Sequence, residues 1–488
     1  MSVRDDVLEF LRDLPGFAGG AAAPEVWLAA LEQFAEPMLA HTGDFPLRDA
    51  QVAAWRGLAG ERAGLILGPP GTGKTHLLAW LILGYILACR AADKPCRVLV
   101  SAFTRAAIGN LLDGVAKRVA THGVDLPLVY FGSAPPDSLA TGIHHIERTG
   151  AAGIAEAVDQ MVAPQMVVGA SVWTIYKLLQ SGRLPGAVGM FAPAFDLICI
   201  DEASQMPLGH GLIALGAVAP AGRVVVAGDN KQLPPIRVSR AVEIEGRNLG
   251  GSLYEYLKSA SAREFALEET FRLNAPLTRF PEANFYPGKF RSTAETEARR
   301  LPLAEGWSSG LAEWERVVLD PDWPICVLAH DGPSAATRSP FEAGIVARLT
   351  KTLRASILGE AGTAPCDARE FWRERLAIVS PHRAHNQEMA ALLAAGGEVP
   401  FVETVDRIQG KERDCVILSY CVADPEFALA EAAFIFSPER LNVATTRARS
   451  KLIVLISRKL LEATPADQET LDQAEMMREF VASCVWLR

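Results

Sequence analysis

The stretch Gly68-Pro69-Pro70-Gly71-Thr72-Gly73-Lys74-Thr75 constrains this chain more than any other. It follows an apolar run, Gly64-Leu65-Ile66-Leu67, that reads as a buried strand. It precedes His76 to Leu83, which reads as a helix. A strand, a glycine-rich turn and a helix start, in that order, make a phosphate cradle. The glycines let backbone N–H groups turn inward with no Cβ in the way, and the helix N-terminus adds the positive end of its dipole. The stretch fits GxxxxGK[ST] in full, with both flanks in agreement. Lys74 is placed to reach the β- and γ-phosphates of a nucleotide, and Thr75 to give its hydroxyl to Mg²⁺.

Length and composition bound what surrounds this cradle. At 488 residues the chain exceeds one ordinary core, so two or three domains are expected. A formal net charge of −9 excludes a generally basic coat, so any nucleic-acid site must be a local groove. Eight cysteines are scattered without a CxxC pair, which disfavours zinc and a disulfide framework and points to a reducing cytoplasm. The start, Met1 to Asp6, is mixed and acidic, unlike a signal peptide. The longest apolar run, Leu77 to Cys89, is too short to span a bilayer and reads as a helix behind the cradle. No membrane association is expected.

A helical lead-in is expected over residues 1–42, with apolar residues at helical spacing in Val7-Leu8-Phe10-Leu11 and in Val26 to Phe34. Shortly before the cradle stands Gln51. Its amide offers a donor and an acceptor, the pattern of an adenine edge; the bland alternative is a surface glutamine. A β-branched strand, Arg97 to Phe103, ends in Thr104-Arg105 and runs into a helix. Residues at the carboxyl end of a parallel strand are placed to meet a ligand, here a phosphate backbone, although a plain helix cap reads equally well. Residues 123–154 read as a loop-rich insert with Pro127, Pro135 and Pro136, and Met166 to Ser171 as a further strand.

Phe195-Asp196-Leu197-Ile198-Cys199-Ile200-Asp201-Glu202 is the second strong signal: apolar residues leading into an acidic pair at a strand end. Asp201 would hold Mg²⁺, and Glu202 would orient and deprotonate an attacking water. A strand at 223–227 then leads into Gly228-Asp229-Asn230-Lys231-Gln232-Leu233-Pro234-Pro235, where Gln232 would sense the γ-phosphate.

These residues carry a resemblance. Asp201-Glu202-Ala203-Ser204-Gln205 and the segment 228–235 resemble motifs II and III of superfamily 1 helicases, in the Upf-type branch. Leu267 to Asn274 with Phe280 to Lys289, Thr404 to Glu412, and Arg440 to Arg449 are similar to that branch's later motifs, in the family's order. The resemblance covers about Phe45 to Ser457. It implies an α/β protein of two RecA-like P-loop domains, each a mostly parallel sheet flanked by helices. The expected domains are 43–255, with its insert, and 256–460, followed by a C-terminal helix over 461–488. It implies ATP and Mg²⁺ as cofactors and single-stranded DNA or RNA as partner. The catalytic residues would be Lys74, Glu202, Gln232, Arg272 and Arg447. Gln51 and Phe271 would hold adenine, Gly410 and Glu412 would lie at the nucleotide, and Arg449 would be structural or catalytic. Ser101, Thr104, Ser171, Pro381, Arg383 and Thr404 match segments that line the strand's track.

Two departures stand out. Phe103 and Arg105 occupy places where the branch usually has proline and asparagine, and the phrase around them is similar to the UvrD-like branch instead. Only 44 residues precede Phe45, with helical pattern, where the branch commonly carries a β-barrel. The expectation is a stripped core that translocates 5′ to 3′ along single strands and unwinds long duplexes poorly. A protein partner would dock through the tail helix or the insert. A nucleic-acid-stimulated ATPase switch is the competing expectation.

Overall fold

The computed structural model describes residues 13–42, 45–133, 139–147, 150–161, 163–184, 194–235, 243–244, 247–394 and 397–487. The apolar group at Val7 to Leu11, and Pro135 and Pro136 of the insert, lie outside them. The chain divides into two units. The first comprises 1–230 and 234–268, the second 231–233 and 269–488.

The first unit is built on one parallel sheet. Its strands in chain order are β1 (Ala63–Leu67), β2 (Cys96–Ala102), β3 (Leu128–Phe131) and β4 (Ile143–Ile146). Next come β5 (Gln165–Ala170), β6 (Phe195–Asp201) and β7 (Val218–Gly228). A short hairpin, β8 (Glu243–Ile244) and β9 (Arg247–Asn248), precedes the last, β10 (Arg263–Ala266). The spatial order is β10-β1-β7-β6-β2-β5-β3-β4. Parallel pairs need crossovers, and helices such as Lys74–Ala91 and Arg105–Thr121 supply them. Both faces are therefore covered. Leu65, Leu99, Ile198 and Val224 pack on one side, and Ile66, Val98, Cys199 and Val225 on the other. The strands read as continuous apolar runs for this reason. The helix Lys74–Ala91 is apolar all round and is buried along most of its length, as its composition demands.

Residues of the lead-in belong to this unit's core. A helix at Glu25–Ala29 widens into a π-helical segment, Ala30–Ala35, and continues through Glu36–Thr42. Trp27 Nε1 donates to the Trp55 carbonyl at 2.8 Å, and Trp55 Nε1 to the Trp27 carbonyl at 3.2 Å. A Cβ on Gly84 would stand 2.7 Å from the Ala30 carbonyl oxygen, so only glycine lets this segment lie against the helix behind the cradle. Arg223, 4% exposed, adds a buried tie: its guanidinium donates to the carbonyls of Ala23, Leu58, Ala59 and Glu61.

The insert 123–154 is loop-rich, as expected, and also carries β3 and β4, which extend the sheet beyond β5. Two expectations about organisation are corrected. The first unit runs past 255 to Glu268, because β10 pairs with β1. The tail 461–488 is not one helix: its helix spans Gln468–Ala482, and β18 (Val485–Leu487) pairs with a strand of the second sheet.

That second sheet is also wholly parallel. Beside a small pair, β11 (Glu269–Thr270) and β12 (Arg291–Ser292), the second unit holds β13 (Ile325–His330), β14 (Leu376–Val379) and β15 (Val402–Glu403). β16 (Arg413–Ser419) and β17 (Ala448–Ser457) complete it with β18, in the order β15-β14-β16-β17-β13-β18. The tail helix Gln468–Ala482 buries Ala474, Met477, Phe480 and Val481. The Phe480 ring meets Phe280 at 4.9 Å, so the helix's apolar face is engaged within the unit and only its polar face is left for a partner. No helix among the described residues is long and apolar enough to cross a membrane. Each of the eight cysteines is a free thiol.

Candidate nucleotide and nucleic-acid sites

In the first unit the cradle follows β1 directly. Gly71 and Gly73 have φ of 76° and 77°, left-handed values that favour glycine. A Cβ on Gly68 would fall 2.1 Å from Lys74 Cγ. The Gly68 amide donates to the Gly228 carbonyl of β7 at 3.0 Å, the Thr72 hydroxyl to the Pro69 carbonyl at 2.8 Å, and Lys74 Nζ to the Gly68 carbonyl at 2.5 Å. Pro69 and Pro70 are buried under the turn. Gln51 braces it from the helix Asp49–Leu58: its Oε1 accepts from the Arg48 amide at 3.0 Å and its Nε2 donates to the Thr72 carbonyl at 3.1 Å. One amide hydrogen and one lone pair remain for a ligand edge.

β6 brings the acidic pair to the same end. The Thr75 hydroxyl donates to Asp201 Oδ2 at 2.7 Å. Asp201 is 2% exposed; burial, and then the neighbouring Glu202 carboxylate, push its carboxyl up to about 6 against the pull of Lys74 and Thr75. Glu202 sits at φ 51°, an uncommon value for a residue with a side chain, and its amide donates to Asp201 Oδ1 at 2.9 Å. Gln205 Nε2 donates to Glu202 Oε2 at 3.3 Å. A hydroxyl and a carboxylate side by side form an all-oxygen donor set, which fits a hard divalent cation. A cation there also offsets the cost of the buried charge.

The second unit assembles the arginines expected to act on a nucleotide. Arg447 is 2% exposed; Nε donates to the Val443 carbonyl at 3.0 Å and Nη2 to Gln232 Oε1 at 3.1 Å. Gln232 thus belongs with this unit, together with Lys231, whose carbonyl accepts from Asn442 Nδ2 at 2.7 Å. Arg272 Nε donates to Glu412 Oε2 and Nη1 to the Thr446 carbonyl at 3.1 Å. Arg449 donates to Glu412 Oε1 at 3.0 Å and also meets Asp414 and Glu374 at 3.4 Å each. Burial alone would raise the Glu412 carboxyl, but Arg272 and Arg449 outweigh it and hold it at about 2. Phe271 beside Arg272 is half-buried, and Gly410 is exposed at φ 79°.

The residues expected along a strand's track divide by exposure. Thr104 is exposed and caps the helix Arg105–Thr121, accepting from the Ala107 amide at 3.2 Å. Ser171 is partly exposed and caps the helix Val172–Gln180. Arg383 is exposed at the first position of the helix Arg383–Leu393. Pro381 is buried beside it, and Thr404 is 7% exposed. Ser101 requires a correction: it is fully buried, and its hydroxyl donates to the Ala170 carbonyl at 2.9 Å, so it joins β2 to β5 and presents nothing to a ligand. The sequence reading also passed over Trp173, 60% exposed at the end of β5. A lone tryptophan in an apolar segment carries no signal of exposure until the helix phase is known.

Comparisons with known proteins follow the same outline. Two different AAA domain families match, one over residues 51–237 and the other over 249–459. The human "DNA replication ATP-dependent helicase/nuclease DNA2" is 26% identical over 406 residues, 80% of this chain and 35% of that protein. "Regulator of nonsense transcripts 1" of Dictyostelium discoideum is 25% identical over 464 residues, 87% of this chain and 32% of that protein. These matches make the chain similar to the Upf-like superfamily 1 helicases. The likeness to P-loop helicases implies ATP with a divalent metal as the cofactor pair. The Dna2 protein of Schizosaccharomyces pombe is 26% identical over 421 residues, 83% of this chain and 27% of that protein. The chain thus spans about a third of the length of these curated relatives. A solved "Arterivirus nonstructural protein 10 (helicase) with DNA" aligns at TM-score 0.38 and 14% identity, covering 84% of this chain and 63% of that one.

Proposed function

We propose that the chain is an ATP-driven helicase motor that moves along single-stranded nucleic acid, 5′ to 3′, with Mg²⁺ as the metal. The observation that carries this reading is the meeting of Thr75, Asp201 and Glu202 at the ends of β1 and β6, with Lys74 held over the glycine turn. Bound Mg²⁺ would neutralise charge on the β- and γ-phosphates. Lys74 and the turn's amides bind the phosphates, and Thr75 and Asp201 hold the metal. Glu202 orients a water and takes its proton. Its left-handed backbone and its tie to Gln205 fix the carboxylate's direction. Gln51 and Phe271 are assigned to adenine, and Gly410 and Glu412 to the sugar side. Arg272 and Arg447 complete the charge stabilisation of the transferred phosphoryl, with Gln232 reporting on it. Thr104, Ser171, Arg383 and Thr404, with Pro381, are assigned to the strand's backbone.

The test is ATP hydrolysis by the purified chain with single-stranded DNA, with single-stranded RNA and with neither. Stimulation by at least one strand is expected, and strand displacement on a tailed duplex then separates a helicase from a clamp-like ATPase switch. Hydrolysis that ignores both strands would make the chain an NTPase of another class.

A further inference from the structure

Beside the assigned track, the ends of β2, β3 and β5 enclose a cleft of about 200 Å³. Its lining includes Arg105, Tyr130, Ser133, Trp173 and Lys177. One wall comes from the insert. The Tyr130 hydroxyl donates to the Ser133 carbonyl at 3.2 Å, and Gly132, at φ 134°, lets the turn after β3 close on the helix Val172–Gln180. A Cβ at Gly132 would come within 3.0 Å of Thr174 Oγ1. The opposite rim carries Trp173, 60% exposed, whose ring meets His210 edge-to-face at 4.9 Å. Arg105 and Lys177 are both exposed at the cleft. Phe103, 44% exposed, stands at the end of β2, the strand next to β5.

We infer that this cleft receives one unstacked base of the bound strand, with Trp173 as its stacking surface and Arg105 and Lys177 contacting the flanking phosphates. The inference rests on the single-strand reading above. Pockets for drug-sized ligands run to roughly 300–1,000 Å³, so a cleft of about 200 Å³ suits one flat base and not a whole nucleotide chain. An exposed aromatic beside exposed cations is the arrangement that binds single strands with little sequence preference. In a protein of net charge −9, cations gathered at a strand-end cleft are also the local basic site that binding requires. The insert's β3 is thereby part of the strand-binding surface.

The probe is a labelled oligothymidylate, compared with the same strand carrying abasic sites in place of its bases. Stacking on one aromatic gives roughly tenfold in affinity. The wild-type protein should prefer the intact strand. Trp173→Ala should reduce that preference by roughly tenfold, and Trp173→Phe should restore most of it. A global folding defect would weaken both strands together and leave their ratio alone, so the ratio reports the stack itself. Lys177→Glu should weaken both strands alike. If strands stimulate hydrolysis but Trp173→Ala keeps the wild-type ratio, the cleft is not a base site, although the motor reading stands. If the wild-type protein neither binds the strands nor responds to them, both readings fall.

Discussion

At Glu202 a strained backbone and a catalytic assignment coincide. A left-handed value for a residue with a side chain costs of order 1–3 kcal/mol and persists only where surrounding bonds over-determine it. Here those bonds include the Glu202 amide to Asp201 and the Gln205 amide to the Glu202 carboxylate. Glu202→Gln should keep ATP binding and lose turnover by roughly 10²–10³, as removal of one preorganised charge contact does elsewhere. Nucleotide affinity and single-turnover hydrolysis measure the two effects separately; wild-type turnover would remove Glu202 from the role of base. Glu412 shows a residue whose charge is set by its neighbours. Its shift from an ordinary value near 4.5 to about 2 corresponds to about 3 kcal/mol at neutral pH. Since 33% of the side chain is exposed, water screens the pair and about 2 kcal/mol is expected. A depressed folded value gives stability that is complete above 4.5 and lost as pH falls toward 2. Urea unfolding of wild type and Glu412→Gln should therefore differ at pH 7 and converge in that acidic window.

Elements show what the sequence made legible and what it left hidden. β1, β2, β5, β6 and β7 announce themselves as β-branched or apolar runs, because a strand covered on both faces has no polar side to show. β10 escapes that reading: Arg-Glu-Phe-Ala is a partly exposed edge, joined to β1 alone, and its residues carry no period. β3 is hidden for another reason, since its four residues sit among proline and glycine and read as loop. The convergence of Lys74, Thr75 and Asp201 at one strand end was legible, because motif spacing fixes their places. Ser101 was not, because the motif gives its place and only the three-dimensional register between β2 and β5 shows that its hydroxyl faces Ala170. Ser101→Ala should thus cost about 1 kcal/mol of stability and leave single-strand affinity unchanged. Thermal unfolding and strand titration check the two halves of that statement. Arg223 was equally silent in the sequence, being one arginine at the start of an expected strand. Arg223→Met removes a donor from carbonyls of two segments, at Ala23 and at Leu58 to Glu61, and should destabilise the first unit by about 3 kcal/mol. A calorimetric scan in which the first unit's transition stays in place would show that water takes over those carbonyls.

Across the whole molecule, the acidic balance makes binding to a strand a matter of local charge. Affinity should fall steeply with salt, since neutralised phosphates release counterions. Arg383→Ala should weaken binding to all sequences alike and lower the slope of log affinity against log salt by about 0.7, the share of one phosphate contact. An unchanged slope would place Arg383 off the track.

The path of the chain through its two units has a practical consequence. Residues 231–233 belong to the second unit, although both flanking stretches belong to the first. A fragment starting at residue 269 would leave Asn442 Nδ2 without the Lys231 carbonyl and Arg447 without the Gln232 amide. Trimming this protein at its apparent midpoint therefore removes a piece of the half that is kept. A second half that keeps these two bonds needs the tripeptide restored, through a permuted chain order or as a peptide added in trans.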